Sequence, residues 1–140
     1  MFEPESAMAV HLAPIGICTL DEQHLEMGGM LRAFQIAVLR GRPAAEIRVM
    51  IETSMAALRA HCRQEEALMT KSAYPDAAAH RLDHERLVLA ASAFSEDVLH
   101  HRQPPEILNE HGDLLRSIFV AHMDRDDRAL AQHLMRVGLG

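Results

Sequence analysis

The chain has 140 residues, a formal net charge of −6 with histidine neutral, and a hydrophobic fraction of 49%. That size suits one domain able to bury a core without disulfide or structural-metal staples, and the apolar fraction excludes a disordered chain. The mild acidity leaves no basic stripe to neutralise nucleic-acid phosphates, and four Phe, one Tyr and no Trp leave no platform on which bases could stack.

Residues 1–20 carry Pro4, Pro14 and Gly16 and read as an extended N-terminal arm. The arm opens Met1-Phe2-Glu3-Pro4-Glu5, without the basic region of a signal peptide. Leu20-Asp21 reads as the entry of a first helix, with Asp21 placed to cap free backbone N–H groups. That helix is expected to reach about Arg40 and to stop at Gly41-Arg42-Pro43, where Pro43 suits the first turn of the next helix.

A second helix is expected from about Ala44 to Lys71, since Ile47, Met50, Ile51, Met55, Leu58 and Leu68 recur at three- and four-residue steps. Tyr74-Pro75-Asp76 ends the following turn. A third helix should run from about Asp76 to His100, with Leu82, Leu87, Leu89, Phe94 and Val98 inside, and stop at Arg102-Gln103-Pro104-Pro105. A fourth should run unbroken from about Glu106 to Val137.

No segment alternates polar and apolar residues between turn signals, so no sheet is expected. Four long helices on short loops predict an all-α, up-down-up-down antiparallel four-helix bundle over residues 21–140. No apolar run nears the roughly 18 to 20 residues needed to span a bilayer. Cys18 and Cys62 lie far apart with no CxxC partner, which excludes a disulfide framework or zinc ribbon and fits a reducing compartment. The expectation is a cytoplasmic protein that binds neither membrane nor nucleic acid.

Seven potential metal ligands stand at helical spacing: His24, the pair His61 and Glu65, the pair His80 and His84, and His122 followed by one of Asp126 and Asp127. Residues i and i+4 lie one above the other on a helix face. Alone, each pair reads as solvated surface, and His24 as a surface or capping residue. Together they agree in level. In an up-down bundle the start of helix one, the end of helix two, the start of helix three and the end of helix four share one layer. Five imidazoles and two carboxylates in one layer point to iron, and to two ions rather than one.

The other histidines fall elsewhere. His11 is in the arm, His100 and His101 adjoin the Arg102–Pro105 break, and His111 and His133 sit about 16 Å along the axis from His122. These read as surface residues. Glu65 is favoured over Glu66 by its i+4 relation to His61. On helix four, periodicity favours Asp126, because Asp127 is about 140° round an ideal helix from His122. A carboxylate bridging two metals need not share the His direction, so the choice stays open on spacing alone.

These segments resemble the hemerythrins in their single-domain bacterial form. The matching residues are Ile15-Gly16-Ile17, Leu20-Asp21-x-Gln23-His24, His61-x-x-x-Glu65-Glu66-x-x-Met69, Tyr74-Pro75, His80-x-x-x-His84 and His122-x-x-x-x-Asp127, in family order from about Pro14 to Leu134. The resemblance implies a four-helix bundle holding two non-haem iron ions and reversibly binding O2. It implies Asp127 as the fourth-helix carboxylate. His80, His84 and His122 would bind one iron and His24 and His61 the other. Glu65 and Asp127 would bridge them beside an oxo or hydroxo group, leaving O2 the open position on the two-histidine iron.

The chain departs from the family in having Cys62 after the second-helix His, Ile118 before the fourth-helix His where Trp is frequent, and Leu130 where Tyr is common. The O2 pocket is instead expected from Met27, Cys62, Phe119 and Met123. Cys62 is the one candidate redox side chain beside the metal, or a small apolar filler. The leading expectation is O2 storage, delivery or sensing, the last through an unidentified partner protein. A di-iron enzyme reacting with peroxide or NO, and an iron-handling bundle, are the competitors.

Overall fold

The computed structural model describes residues 14–100 and 103–140. The expected arm over residues 1–13, with His11, and the stretch holding His101 and Arg102 lie outside the described residues. Four helical segments carry the chain: α1 (Cys18–Leu39), α2 (Ala44–Ser72), α3 (Ala77–Leu99) and α4 (Pro105–His122). A π-helical turn (Met123–Asp127) then leads into α5 (Arg128–Arg136). Among the described residues there is no strand, and no helix is long and apolar enough to cross a membrane. The helices pack as a closed ring, α1 on α2, α2 on α3, α3 on α4 and α4 on α1.

Local chemistry sets the ends. Gly41 adopts φ +65°, and the backbone N–H of Arg42 reaches back to the Ala37 carbonyl at 3.1 Å, closing α1 before Pro43 opens α2. Ala73 takes the left-handed conformation at the end of α2, and the N–H of Tyr74 bonds the Met69 carbonyl at 2.9 Å. Pro105 occupies the first turn of α4, where its missing N–H costs nothing.

The first helix starts three residues earlier than expected. Gly16, at φ +101°, turns the chain so that the Asp21 carboxylate accepts the N–H of Ile15 at 2.7 Å and of Gly16 at 3.2 Å. Asp21 therefore ties down the approach to the helix from within its first turns. Ile15 and Ile17 are buried, so this end of the expected arm is core.

The buried residues step by three and four along α3, through His80, His84, Leu87, Ala91, Phe94 and Val98; on α2, Ile47, Ile51, Leu58, Cys62, Glu65 and Met69 keep the same stripe across one step of seven, and α1 buries Leu20 and His24 at one end and Phe34 and Ala37 at the other. Leu82 and Leu89, expected inside, are 47% and 69% exposed. Each falls two residues from the α3 stripe, about 200° away and so on its far side.

Two apolar clusters result. Phe34, Ile51, Leu58, Cys62, Phe94, Val98, Leu108 and Leu115 belong to one; Ile15, Leu20, Met69, Tyr74, Leu130 and Leu134 belong to the other. Along every long segment the histidines and carboxylates stand between the two. α1 passes Leu20, His24, Phe34; α2 passes Leu58, His61 and Glu65, Met69; α4 and its continuation pass Leu115, His122 and Asp127, Leu130. Each buried Leu or Phe contributes about 1.5–3 kcal/mol, and that packing holds a polar layer that would otherwise oppose folding.

Candidate metal centre

The polar layer brings together all seven expected residues. His24, His61, Glu65, His80, His84, His122 and Asp127 are each at most 5% exposed. They form two groups of potential metal donors. Glu65, His80, His84, His122 and Asp127 make one; His24, His61, Glu65 and Asp127 make the other. Only the two carboxylates are shared.

The sharing is atom by atom. Glu65 Oε1 faces His80 Nε2 at 3.2 Å and His84 Nε2 at 2.9 Å, while Glu65 Oε2 faces His61 Nε2 at 3.0 Å. Asp127 Oδ1 faces His80 Nε2 at 3.0 Å and His122 Nε2 at 2.8 Å, while Asp127 Oδ2 faces His24 Nε2 at 2.9 Å. Each carboxylate thus gives one oxygen to the three-histidine side and the other to the two-histidine side.

The π turn produces this aim. On a regular α-helix Asp126 would stand over His122. One wider turn between Met123 and Asp127 carries the fifth residue back to the inner face. Asp127 is fully buried, while Asp126 keeps a quarter-exposed side chain that meets the outer ring nitrogen of His122 at 3.2 Å. The unbroken fourth helix read from the sequence is corrected here, and the carboxylate left open on spacing resolves as Asp127 at the centre of the cluster.

A second ring of residues sets the imidazoles. His61 Nδ1 donates to Gln23 Oε1 at 2.6 Å, His84 Nδ1 to Glu66 Oε2 at 2.8 Å, and His122 Nδ1 to Asp83 Oδ2 at 2.5 Å. Each acceptor is an oxygen, so each Nδ1 carries the hydrogen and each Nε2 turns its lone pair inward. Gln23 is itself oriented by donating to Gln64 Oε1. Asp83, His122 and Asp126 also cluster, but they meet through the outer nitrogen of His122 and serve its orientation.

These supports were not expected from the sequence. A signal was present: each is a polar residue next to a ligand candidate, Gln23 beside His24, Glu66 beside Glu65, Asp83 beside His84. Each reaches across to a histidine of the neighbouring helix. His133, expected at the surface, is half-buried, with its Nε2 bonded to the Ser72 carbonyl at 2.9 Å and its ring 5.1 Å from Tyr74. His111 is likewise half-buried and His100 exposed; neither joins the cluster.

The residues fit a metal. His24 Nε2, His122 Nε2, Glu65 Oε2 and both Asp127 oxygens are buried without hydrogen-bond partners, although each faces an opposing donor atom. Within each group the donor atoms lie within 4.8 Å of one another, as donors about 2.1 Å from a common ion would. Imidazole with carboxylate, and no thiolate, suits a first-row transition metal.

Without metal, the cluster holds protons instead. Burial alone would lower His61 and His80, but the carboxylates of Asp127 and Glu65 outweigh it and raise both to about 9. Burial likewise opposes ionisation of Glu65 and Asp127, and the surrounding histidines hold both well below the usual carboxylate range. The raised histidine values stabilise the metal-free fold fully below their unfolded value near 6.5, and that stability is lost as pH rises through about 9. Urea unfolding of metal-free protein should therefore show a lower midpoint at pH 10 than at pH 6.5. A midpoint that rises over this interval would contradict the assignment of protons to the cluster.

An apolar cavity of about 80 Å³ adjoins the centre. It touches His24 and His61, and Met27, Cys62, Phe119 and Met123, the four residues expected to build a pocket, all line it. Cys62 is 6% exposed within the first apolar cluster, and burial together with the Glu65 charge pushes its thiol up to about 12. It therefore stays a protonated apolar filler at neutral pH.

The chain matches no protein-family model, no curated protein and no solved structure. Its chemistry is read from the centre itself: a buried cluster of five histidines and two carboxylates that could hold metal.

Proposed function

We propose that this centre holds two iron ions and reversibly binds O2, in an up-down-up-down antiparallel bundle of the hemerythrin kind. The observation that carries the reading is the division of both carboxylates, Glu65 and Asp127, between three histidines on one side and two on the other. The order in which successive helices meet the two apolar clusters supports the antiparallel topology, since it reverses from each helix to the next.

His80, His84 and His122 would hold one ion, His24 and His61 the other, and Glu65 and Asp127 would join them. A ferrous pair, when bound, supplies the electrons on which O2 binding depends. The protein's own part is geometric and electrostatic. Gln23, Glu66 and Asp83 fix the ring orientations. The cavity touches both histidines of the two-histidine side, along with His84 and His122 of the other, and the two-histidine side has one donor fewer to crowd a small ligand arriving through apolar surroundings. Met27, Phe119 and Met123 exclude bulk water from that face. We place the protein in the cytoplasm, where its two free thiols persist.

The test is an absorption spectrum of anaerobic ferrous protein, taken before O2, after O2 and after its removal. A visible band that appears with O2 and disappears on degassing is expected. Irreversible conversion would favour an enzyme acting on peroxide or NO, and absence of any iron-dependent band would overturn the proposal. His61→Ala should abolish the O2-dependent band while leaving iron on the three-histidine side, measured as roughly half the bound metal.

A further inference from the structure

Met27, Met30, Met55 and Met123 all line the apolar cavity that touches His24, His61, His84, His122 and Asp127. Met27 and Met55 also pack against the first apolar cluster, so they fill core as well as line the cavity. Met69 fills the other apolar cluster at 0% exposure and borders no part of this cavity. Leucine would give the cavity walls similar bulk without an oxidisable sulfur. The four methionines share this cavity with the histidines of the centre, so a small molecule released into it meets them. Met27 follows His24 by three residues, less than a helical turn, and Met123 is next to His122.

We propose that Met27 and Met123 are modification sites, converted to methionine sulfoxide by hydrogen peroxide released from the centre into the cavity, with Met30 and Met55 following. This rests on the reading of the centre as an O2-reactive iron pair. A ferrous pair, when bound by the seven donor residues, would supply two electrons that, with two protons from solvent, reduce O2 to hydrogen peroxide. The thioether sulfur attacks one peroxide oxygen, an S–O bond forms, the O–O bond breaks, and the second oxygen leaves with both protons as water. Sulfur loses two electrons and peroxide gains them. The sulfoxide is polar, so each event wets a cavity that was apolar, and a sulfoxide reductase would restore it.

Met135 is the internal control, because it is 48% exposed and borders no part of the cavity. Full-length protein loaded with ferrous iron would be cycled, in the presence of catalase, between air and anaerobic buffer containing a reductant that returns the iron to the ferrous state and is removed before each exposure to air, and its peptides examined by mass spectrometry. Catalase destroys peroxide in bulk solution but cannot enter the cavity. Sulfoxide at Met27 and Met123 should exceed that at Met135 by roughly tenfold, persist with catalase, and vanish when zinc replaces iron. In metal-free protein treated with added peroxide the order should invert, with Met135 modified first. Equal or greater modification of Met135 in the iron protein overturns the inference. So does a visible O2-dependent band that decays without any cavity sulfoxide; that result leaves the oxygen reading standing. If no iron-dependent band forms, the oxygen reading and this inference fall together.

Discussion

Asp127→Asn should leave a folded protein that no longer retains a pair of iron ions, whereas Asp126→Asn should retain both. The two residues are adjacent, of the same type and both near His122, so the contrast isolates position. Asp127 has an oxygen toward each side of the cluster, and an amide can offer only one. Its loss should weaken metal binding at both positions by more than the roughly 10- to 100-fold that loss of an outer hydrogen-bond partner costs. Of the seven donor residues Asp126 meets only His122, at the outer nitrogen that Asp83 also holds, and its other partner is exposed Arg125, so its replacement should cost about tenfold or less. Metal content after dialysis against a weak chelator, by elemental analysis, reads the difference. Equal retention by the two variants would mean that the π turn does not aim Asp127 at a metal.

Removing the metal should also destabilise the fold. Protons shared among them, and the outer hydrogen bonds of Gln23, Glu66 and Asp83, are then what holds seven inward-facing polar side chains between two apolar clusters. Metal that binds only the folded chain, present at a thousandfold its dissociation constant, adds about 4 kcal/mol, or on the order of 10 °C in Tm for a chain of this length. Calorimetry of loaded protein and of protein stripped by a strong chelator should show that separation. A Tm indifferent to the metal would mean that the cluster is satisfied without it. Glu65→Gln should lower the loaded protein's Tm towards the stripped value, since Glu65 faces His61, His80 and His84 at once.

The helices and most of the cluster were legible because they obey one rule. A 3.6-residue period places His61 with Glu65 and His80 with His84, and short Pro- and Gly-marked loops bring those pairs to one level. Leu82 and Leu89 show where that reading fails. Apolar character alone put them inside, but the α3 face that packs is the one defined by His80, His84, Leu87 and Ala91. The orienting residues Gln23, Glu66 and Asp83 went unread for a different reason, although each stands next to a ligand candidate. Each acts on a histidine of another helix, and a partner across an interface leaves no periodicity within its own segment.

The π turn lay between these cases. Leu108, Leu115 and His122 are buried at intervals of seven, which would put Ala129 next. The fully buried residue is Leu130, followed by Leu134. The inward pattern slips by one residue after His122, and that slip was present in the sequence. It went unread because a period fitted to the whole helix averages over it.

This slip makes chain length as much a component of the site as any side chain. A helix meters out direction by residue number, and here one surplus residue rotates the carboxylate inward. Deleting exposed Asp124 would return the segment to regular α-helical phase and keep every one of the seven donors. It would also keep Leu130 and Leu134 inward, now at the positions the seven-residue interval calls for. Only the reach of Asp127 relative to His122 would change. The centre is thus encoded partly as a count, and it can be altered by an indel that no inventory of its ligands would register.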